Sequence, residues 1–440
     1  MERRVMGALQ DWKRSADRKP LVIRGARQVG KTWLMKELGA SYGHCAYVNF
    51  EGNPRMKRLF EADFDIERIL VGLRVETGQP ITPRDCLLVF DEVQEVPRAL
   101  TALKYFHENA PGYDVIAAGS LLGVALHTET SFPVGKVEFL DLHPMSFPEF
   151  LTASDNEGLL QLLAGHDFAT AGAFSEKLVD LLRQYLIVGG MPDVVRTFLE
   201  TRDLAKARRV QLGLNEALEQ DFSKHAPHAV VPRIRALWSS LPAQLARENR
   251  KFVYGVVRHG ARAREYELAL QWLVDCGLVH RVDRVAKPGM PLVAYQDLAA
   301  FKLFAMDVGL LGASSGLEIE SVLGGNALFE EFKGALTEQY VLQQLISHVA
   351  VRPFYWSADR ATAEVDFVVQ LGGEVVPIEV KAAENLQAKS LKIYQRSFGP
   401  RRAVRTSLSP FREDGWLVNI PLFAIHELAG VLRHPPRPSR

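Results

Sequence analysis

The chain has 440 residues, 47% of them hydrophobic, and a formal net charge of +1. This length suggests about two to four domains, and the small net charge excludes a general polycation, so any nucleic-acid surface must come from local clustering. The N-terminus lacks a signal-peptide pattern, and no apolar run approaches the ~18 residues of a membrane helix. We therefore expect a cytoplasmic protein with no membrane partner. Cys45 and Cys86 lie in or beside apolar runs and are expected to be buried thiols.

The clearest motif spans 25–32, Gly-Ala-Arg-Gln-Val-Gly-Lys-Thr, directly after the apolar run 21–23. It has the form of a phosphate-binding loop, in which backbone N–H groups surround a polyphosphate. Lys31 would contact the β and γ phosphates, Thr32 would bind Mg²⁺, and the helix that follows would direct its positive end at the anion. ATP and Mg²⁺ are the predicted cofactors. The expected nucleotide-binding residues of this segment are Gly25, Gln28, Val29, Gly30, Lys31, Thr32 and Trp33.

Short apolar runs alternate with helical stretches through the first 150 or so residues, a pattern that predicts a parallel sheet with helices on both faces. The predicted strands are 21–24, 46–50, 86–91, 115–119 and 137–142. The third ends in Asp91-Glu92. Beside a phosphate-binding loop, Asp91 would hold Mg²⁺ and Glu92 would polarise the attacking water.

Two further polar residues end predicted strands at the same edge of the sheet. Ser120 would sense the γ-phosphate, and Asn49 would hold Glu92 back until a ligand arrives. Both residue types are also common turn formers at strand ends, and this alternative stays open.

These motifs, together with the segments 133–137, 144–151 and 185–195, resemble the prokaryotic AAA+-type ATP-binding proteins. The resemblance implies that the fourth strand lies between the first and third, and that the chain forms homo-oligomers, with a hexameric ring as one form. Such rings usually supply an arginine in trans just before the fifth strand. Here Lys136 is the catalytic candidate at that position. It is a point charge without the arginine fork, which puts strong trans-activation in doubt.

The middle of the chain begins with Leu-rich helices at about 155–225, which the resemblance makes a lid over the nucleotide site. From about 230 to 315, a helix at 262–274 followed by a strand and a turn at 287–291 predicts a winged helix. Phosphate contacts and simple packing between domains are both compatible with this pattern. The basic residues that would contact DNA phosphates are Arg258, Arg262, Arg264, Arg281 and Lys287.

The C-terminal region has two alternating runs, 363–369 and 375–381, separated by Gly372-Gly373, which predict a β-hairpin. Asp366 lies on the first run, and Glu379 and Lys381 share one face of the second because side chains alternate along a strand. Two carboxylates and a lysine suit metal-assisted phosphodiester cleavage. The pattern resembles the restriction-endonuclease and Holliday-junction-resolvase superfamily, and that resemblance makes Glu338 a further metal ligand.

The sequence as a whole predicts an α/β protein with a P-loop AAA+-type ATPase core, a helical lid, a winged-helix domain and a restriction-endonuclease-like α/β domain. The predicted boundaries are 1–152, 153–228, 229–325 and 326–432, followed by a disordered tail at 433–440. One hypothesis is an ATP-hydrolysing enzyme that processes DNA, with or without nuclease action. The alternative is an ATP-gated signalling or defence switch whose C-terminal domain binds without cleaving.

Overall fold

The computed structural model describes residues 1–119, 133, 135–247, 251–324, 330–358, 363–382 and 388–433, except for the side chains of 324, 330 and 331. The chain divides into two compact units, Met1–His143 with Asp275–Leu278 and Pro144–Val274 with Val279–Arg440. Both units are α/β. In the described residues, no helix is both long and apolar enough to cross a membrane.

The first unit is built on a parallel sheet in which the strands run in the order β2-β3-β4-β1-β5. The prediction that the fourth strand lies between the third and the first is confirmed. The observed strands differ from the predicted ones by at most two residues at either end. They are β1 (Leu21–Arg24), β2 (His44–Asn49), β3 (Cys86–Asp91), β4 (Asp114–Ala118) and β5 (Glu138–Asp141).

The core of the first unit lies around β3, all of whose residues are buried. A parallel sheet covered by helices buries both faces of its central strands, which explains the continuous apolar sequence there. Phe50, Phe60 and Phe90 pack edge to face with ring centroids 5.4–5.7 Å apart. The helices of this unit are α1 (Val5–Arg14), α2 (Lys31–Gly39), α3 (Pro54–Ala62), α4 (Ile66–Thr77) and α5 (Pro97–Asn109).

The second unit begins with a helical region and carries further helices between and after its strands. The first helices are α6 (Phe147–Ala153), α7 (Glu157–Ala164), α8 (Phe168–Ala173), α9 (Ser175–Val188), α10 (Pro192–Thr201) and α11 (Leu204–His225). The middle helices are α12 (Val231–Leu245), α13 (Tyr254–Val257), α14 (Ala263–Asp275), α15 (Val308–Ser314) and α16 (Ile319–Gly324). The last are α17 (Glu330–Ser347), α18 (Lys389–Phe398) and α19 (Leu428–Arg433).

The strands of the second unit form one sheet in the order β12-β13-β11-β10-β9-β8-β6-β7. They are β6 (Val279–Val285), β7 (Gln296–Ala305), β8 (Phe354–Ser357), β9 (Glu364–Leu371), β10 (Glu374–Val380), β11 (Ala403–Ser407), β12 (Arg412–Asp414) and β13 (Leu417–Pro421). The hairpin predicted around Gly372-Gly373 is present as antiparallel β9 and β10. Strands β10, β11 and β13 are parallel to one another.

The hairpin expected as the wing of a separate domain is formed by β6 and β7, which pair antiparallel from Val279 with Ala305. It is not separate, however, because Arg284 on β6 pairs in parallel with Tyr355 on β8. The edge of β6 that does not face β7 would expose unpaired backbone groups, and β8 pairs with this edge. The predicted boundary at 325/326 therefore separates strands of one sheet, and the winged-helix interpretation stays a prediction.

The Gly189-Gly190 break after α9 has a packing reason. A side-chain carbon at Gly189, whose φ is +73°, would lie 2.2 Å from the Asp307 carboxylate. The Gly190 N–H donates to the same carboxylate at 2.6 Å, and the Gln343 side chain donates to it at 3.2 Å. Burial raises the pKa of Asp307, and the backbone donors offset part of that rise. The two glycines thus allow α9 to end directly against the buried acid that begins α15.

Candidate functional site

The loop between β1 and α2 has the backbone that a polyphosphate cradle needs. Gly25 has φ +152°, and a side-chain carbon there would lie 2.2 Å from the Leu142 carbonyl oxygen, so only glycine fits. Gln28 and Gly30 also have positive φ, at 64° and 99°. Val29 is fully buried and anchors the loop.

Lys31 is 6% exposed, and its ammonium donates to the carbonyl oxygens of Gly25 and Ala26 at 2.9 and 2.7 Å. Burial lowers the pKa of Lys31 to about 8, although Glu92 and Asp91 act in the opposite direction. A cation held by loop carbonyls at the entrance to a helix is positioned to transfer to phosphate oxygens.

The Asp91 carboxylate connects the loop to β3. Its Oδ2 atom accepts hydrogen bonds from the hydroxyls of Thr32 at 2.7 Å and Tyr47 at 2.8 Å. A hydroxyl and a carboxylate oxygen at this separation fit the way Mg²⁺ is bound through one or two protein oxygens together with substrate phosphates. Tyr47 was not predicted from the sequence, because a tyrosine in an apolar strand is typical of a core residue.

Glu92 follows Asp91 directly and has a left-handed backbone, with φ +50°. Its carboxylate accepts a hydrogen bond from the Gln94 side-chain amide at 2.6 Å. The Asn49 side chain, predicted to restrain Glu92, instead accepts from the Glu51 N–H at 2.8 Å. This is the local turn that asparagine commonly forms at a strand end, and the Glu92 carboxylate is contacted by Gln94.

The remaining predicted residues of this site occupy different settings. Ser120 lies outside the described residues. Lys136 precedes β5, as predicted, and its ammonium lies 3.0 Å from Glu108 Oε1 on α5. Trp33 is 41% exposed at the start of α2. Its side chain is therefore accessible beside the loop.

Arg3 supports the phosphate-binding loop and was missed by the sequence analysis. It is 5% exposed, and its guanidinium donates to the carbonyl oxygens of Val29 at 2.8 Å and His143 at 2.7 Å. The fork of the guanidinium thus joins the loop to the segment after β5. A single arginine before an N-terminal helix carries no sequence signal for this contact.

In the second unit, Asp366 and Glu379 are neighbours on β9 and β10. The strand register pairs Phe367 with Ile378, and Asp366 Oδ2 accepts from the Val380 N–H at 2.8 Å. The Lys381 ammonium lies 2.9 Å from Glu379 Oε1. Burial raises the pKa of Glu379, and Lys381 offsets part of that rise. Glu379 Oε2 is buried without a hydrogen-bond partner among the described residues.

Glu338 lies on α17 but pairs with a lysine instead of joining the other two acids. The Lys302 ammonium, fully buried on β7, lies 3.7 Å from Glu338 Oε2 and 2.5 Å from Glu364 Oε1. Within the described part of the chain, no three His, Cys, Asp or Glu side chains are grouped to hold a metal ion. The predicted metal set of Glu338, Asp366 and Glu379 is therefore not assembled among the described residues, and the Lys302 ammonium lies beside Glu338.

Three parts of the chain match protein-family models. Residues 17–151 match a family model described as "AAA domain". The first unit is an AAA-type ATPase domain. Residues 179–321 and 333–423 match models described as "Domain of unknown function (DUF8612)" and "Domain of unknown function (DUF4143)".

Related proteins and structures are distant. "Uncharacterized protein Mb2031c" of Mycobacterium bovis and "Uncharacterized protein Rv2008c" of Mycobacterium tuberculosis are each 24% identical over 376 residues, which cover 84% of this chain and 72% of theirs. The Walker-type ATPase PABY2304 of Pyrococcus abyssi superposes with a TM-score of 0.44 at 15% identity, covering 70% of this chain and 94% of that one. The ORC1 protein of Aeropyrum pernix, solved with DNA, gives 0.28 at 13%, covering 71% and 90%.

Beyond the AAA-type ATPase domain, the predicted phosphate-contacting cations fall into two groups. Arg258, Arg262 and Arg264 are exposed just before and within the first turn of α14. Arg281, in contrast, lies 2.7 Å from the Asp283 carboxylate and 4.2 Å from the Phe301 ring centroid, and so it is already engaged. Lys287 is exposed beside the Tyr295 ring.

Proposed function

We propose that the chain binds MgATP at 25–32 and hydrolyses it, with Glu92 as the residue that activates water. The observation that carries this proposal is the contact of Thr32 with Asp91, one residue before Glu92. The Thr32 hydroxyl and the Asp91 carboxylate are both ligand types suited to Mg²⁺, and a second carboxylate follows at the same strand end. Mg²⁺ bound there would offset the negative charge of the phosphates.

The protein groups have separate tasks in this reaction. The Lys31 ammonium exchanges the carbonyls of Gly25 and Ala26 for phosphate oxygens, and the N-terminus of α2 adds backbone N–H donors. The Glu92 carboxylate releases Gln94 and accepts a hydrogen bond, then a proton, from the attacking water. Catalysis of this kind depends on positioning and on stabilising charge in the transition state.

ATP turnover and nucleotide binding by the full chain test this assignment. Glu92→Gln should retain nucleotide binding and lose turnover by roughly 10²-fold or more, because a positioned base contributes about that much. Lys31→Ala should lose both, whereas Lys57→Ala, on the exposed side of α3, should change neither. Full turnover by Glu92→Gln would exclude Glu92 as the base. Unchanged nucleotide binding by Lys31→Ala would exclude Lys31 as a phosphate contact.

We further propose that the protein acts on DNA through the exposed arginines Arg258, Arg262 and Arg264. Three exposed cations close to the N-terminus of one helix provide the local charge that a nearly neutral chain needs to contact phosphates. Phosphate contacts position a protein on DNA without selecting a sequence. A preference for branched or duplex DNA would come from the shape of the DNA.

The DNA proposal is tested by salt-dependent binding. Arg262→Ala/Arg264→Ala should weaken DNA binding and reduce the slope of log K, the binding constant, against log salt concentration by about 2. In the wild-type complex, each of these two arginines would neutralise one phosphate. Lys206→Ala/Arg209→Ala removes equal exposed charge from α11 and serves as the matched control. Failure of the wild-type protein to bind any DNA at low salt would favour the ATP-gated switch.

We also propose a homo-oligomer, as the AAA+-type resemblance implies, with Lys136 acting on a neighbouring subunit. A mixing experiment tests the role of Lys136. Lys136→Ala subunits should turn over ATP more slowly than wild type when alone, and faster when mixed with Lys31→Ala subunits that still carry Lys136. Absence of complementation, with both variants folded, would assign Lys136 only its pairing with Glu108.

The non-cleaving form of the second unit is favoured over nuclease action by one observation. Lys302 pairs with Glu338, a residue that a metal-dependent nuclease site would need as a ligand. DNA that stays intact with Mg²⁺ and ATP, while still being bound, is the expected result. Cleavage that is lost in Asp366→Ala would support the nuclease hypothesis instead.

A further inference from the structure

Lys302 is a charged side chain that the proposed ATPase reaction does not use. It projects from β7, is fully buried, and its ammonium lies 5.0 Å from the Tyr355 ring centroid. Its carboxylate neighbours come from two other elements, Glu338 from α17 and Glu364 from β9. A buried cation requires such neutralisation, because transfer of an unpaired charge from water to the interior is highly unfavourable.

Strand positions relate the Lys302 ammonium to the predicted metal ligands of the second unit. Glu364 and Asp366 lie on the same face of β9, since they are two residues apart on a strand. Asp366 in turn neighbours Glu379 on β10. Lys302 therefore lies between Glu338 and Glu364 at one end of a row of acids that continues through Asp366 to Glu379. We call this row the acidic cluster.

We propose that the Lys302 ammonium takes the place of a divalent metal ion in this acidic cluster, so that the second unit functions without a resident metal. Mg²⁺ requires oxygen ligands in near-octahedral geometry. A fixed ammonium beside Glu338 fills the space next to this carboxylate and repels a second cation. With Lys302 in place, the described residues contain no group of three acids that could hold a metal ion. The cluster is then a structural ion-pair network that joins β7 and β9 to α17.

The proposal is independent of ATP hydrolysis, because Lys302 and the phosphate-binding loop belong to different units. Its failure would leave the ATPase assignment unchanged. Loss of the ATPase assignment would likewise leave the cluster as it is.

Binding of Mn²⁺ to the nucleotide-free full chain, followed by electron paramagnetic resonance, tests the proposal. Asp91→Asn serves as the background, since it removes the acid expected to bind metal beside the loop. With Lys302 intact, we expect no stoichiometric Mn²⁺ and no change on adding Asp366→Asn or Glu338→Gln. One equivalent of Mn²⁺ that is lost with either substitution would overturn the proposal.

The complementary variant is Lys302→Met, which removes the ammonium and keeps the length of the side chain. It should be less stable than the background, and Mn²⁺ should raise its melting temperature in a manner abolished by Glu338→Gln. Lys287→Met, at an exposed lysine between β6 and β7, is the matched control and should show no Mn²⁺ effect. A well-folded Lys302→Met whose melting temperature does not change with Mn²⁺ would also contradict the proposal. If this variant does not fold, the Mn²⁺ binding measured with Lys302 intact tests the proposal alone.

Discussion

Gln94, three residues beyond the strand that ends at Asp91, donates its side-chain amide to the Glu92 carboxylate at 2.6 Å. The bond holds one oxygen of the proposed catalytic carboxylate in the nucleotide-free chain. We infer that the bond favours an orientation of Glu92 that differs from its orientation towards the attacking water.

We predict that Gln94→Ala raises basal ATP turnover by about fivefold, because a hydrogen bond that holds the inactive orientation contributes about 1 kcal/mol. Steady-state turnover at saturating ATP is the measurement. Gln79→Ala, in the loop after α4, provides the control. A fall in turnover would mean that Gln94 orients Glu92 for reaction.

The stability of the nucleotide-free ATPase domain should depend on the protonation of Lys31. Burial lowers its pKa from an ordinary value of 10.5 to about 8 in the folded chain. The unfolded chain therefore binds more protons between these values, so the cost of burying Lys31 is complete below pH 8 and is relieved as the pH rises towards 10.5.

Lys31→Met removes this cost, and we expect it to stabilise the nucleotide-free chain at pH 7 by about 2 kcal/mol after allowing for the lost hydrogen bonds. Differential scanning calorimetry from pH 7 to 10.5 should show the difference from wild type shrinking with pH. Lys57→Met, at an exposed lysine, should show no such trend. A stability difference between Lys31→Met and wild type that stays constant with pH would exclude the ionisation of Lys31 as its cause.

Tyr47 is expected to position Asp91 for Mg²⁺, since its hydroxyl donates to Oδ2 at 2.8 Å. Tyr47→Phe should raise the Mg²⁺ concentration needed for half-maximal turnover by about fivefold, the equivalent of one hydrogen bond of about 1 kcal/mol. Tyr105→Phe, whose ring stacks on Phe64, is the control. An unchanged Mg²⁺ requirement would limit Tyr47 to packing.

Gly189→Ala should strongly destabilise the second unit. The added carbon would meet the Asp307 carboxylate at 2.2 Å, and the backbone conformation there disfavours other residues. We expect a loss of about 3 kcal/mol in the free energy of unfolding, measured with urea. Gly172→Ala, in α8 with open space around it, should be neutral or slightly stabilising. Equal stabilities of the two variants would contradict the proposed close contact.

Much of the ATPase domain could be predicted from its sequence because local patterns determine it. The loop at 25–32, the buried strand before Asp91 and the strand order all agree with expectation. Side-chain partners were harder to predict, since Asn49 and Gln94 are equally plausible partners for Glu92 until the backbone directions are known. Cys45 also proved to be half-buried instead of buried.

The second unit was less predictable because its decisive contacts join residues that are distant in sequence. Lys302 meets Glu364 because β7 and β9 belong to one sheet. It meets Glu338 because α17 contacts β7 through Gln339 and Ala305. A sequence signal did exist, since Lys302 is a lone charge inside the apolar stretch 299–306. Such a residue in a buried strand requires a carboxylate partner, which the sequence alone cannot name.

The pairing of β6 with β8 has a consequence for how the second unit can be divided. A fragment that ends at 325 would leave β6 with an open hydrogen-bonding edge, and a fragment that starts at 326 would leave β8 with the matching one. Open strand edges are templates for self-association. The two halves should therefore aggregate when produced apart and recombine when produced together.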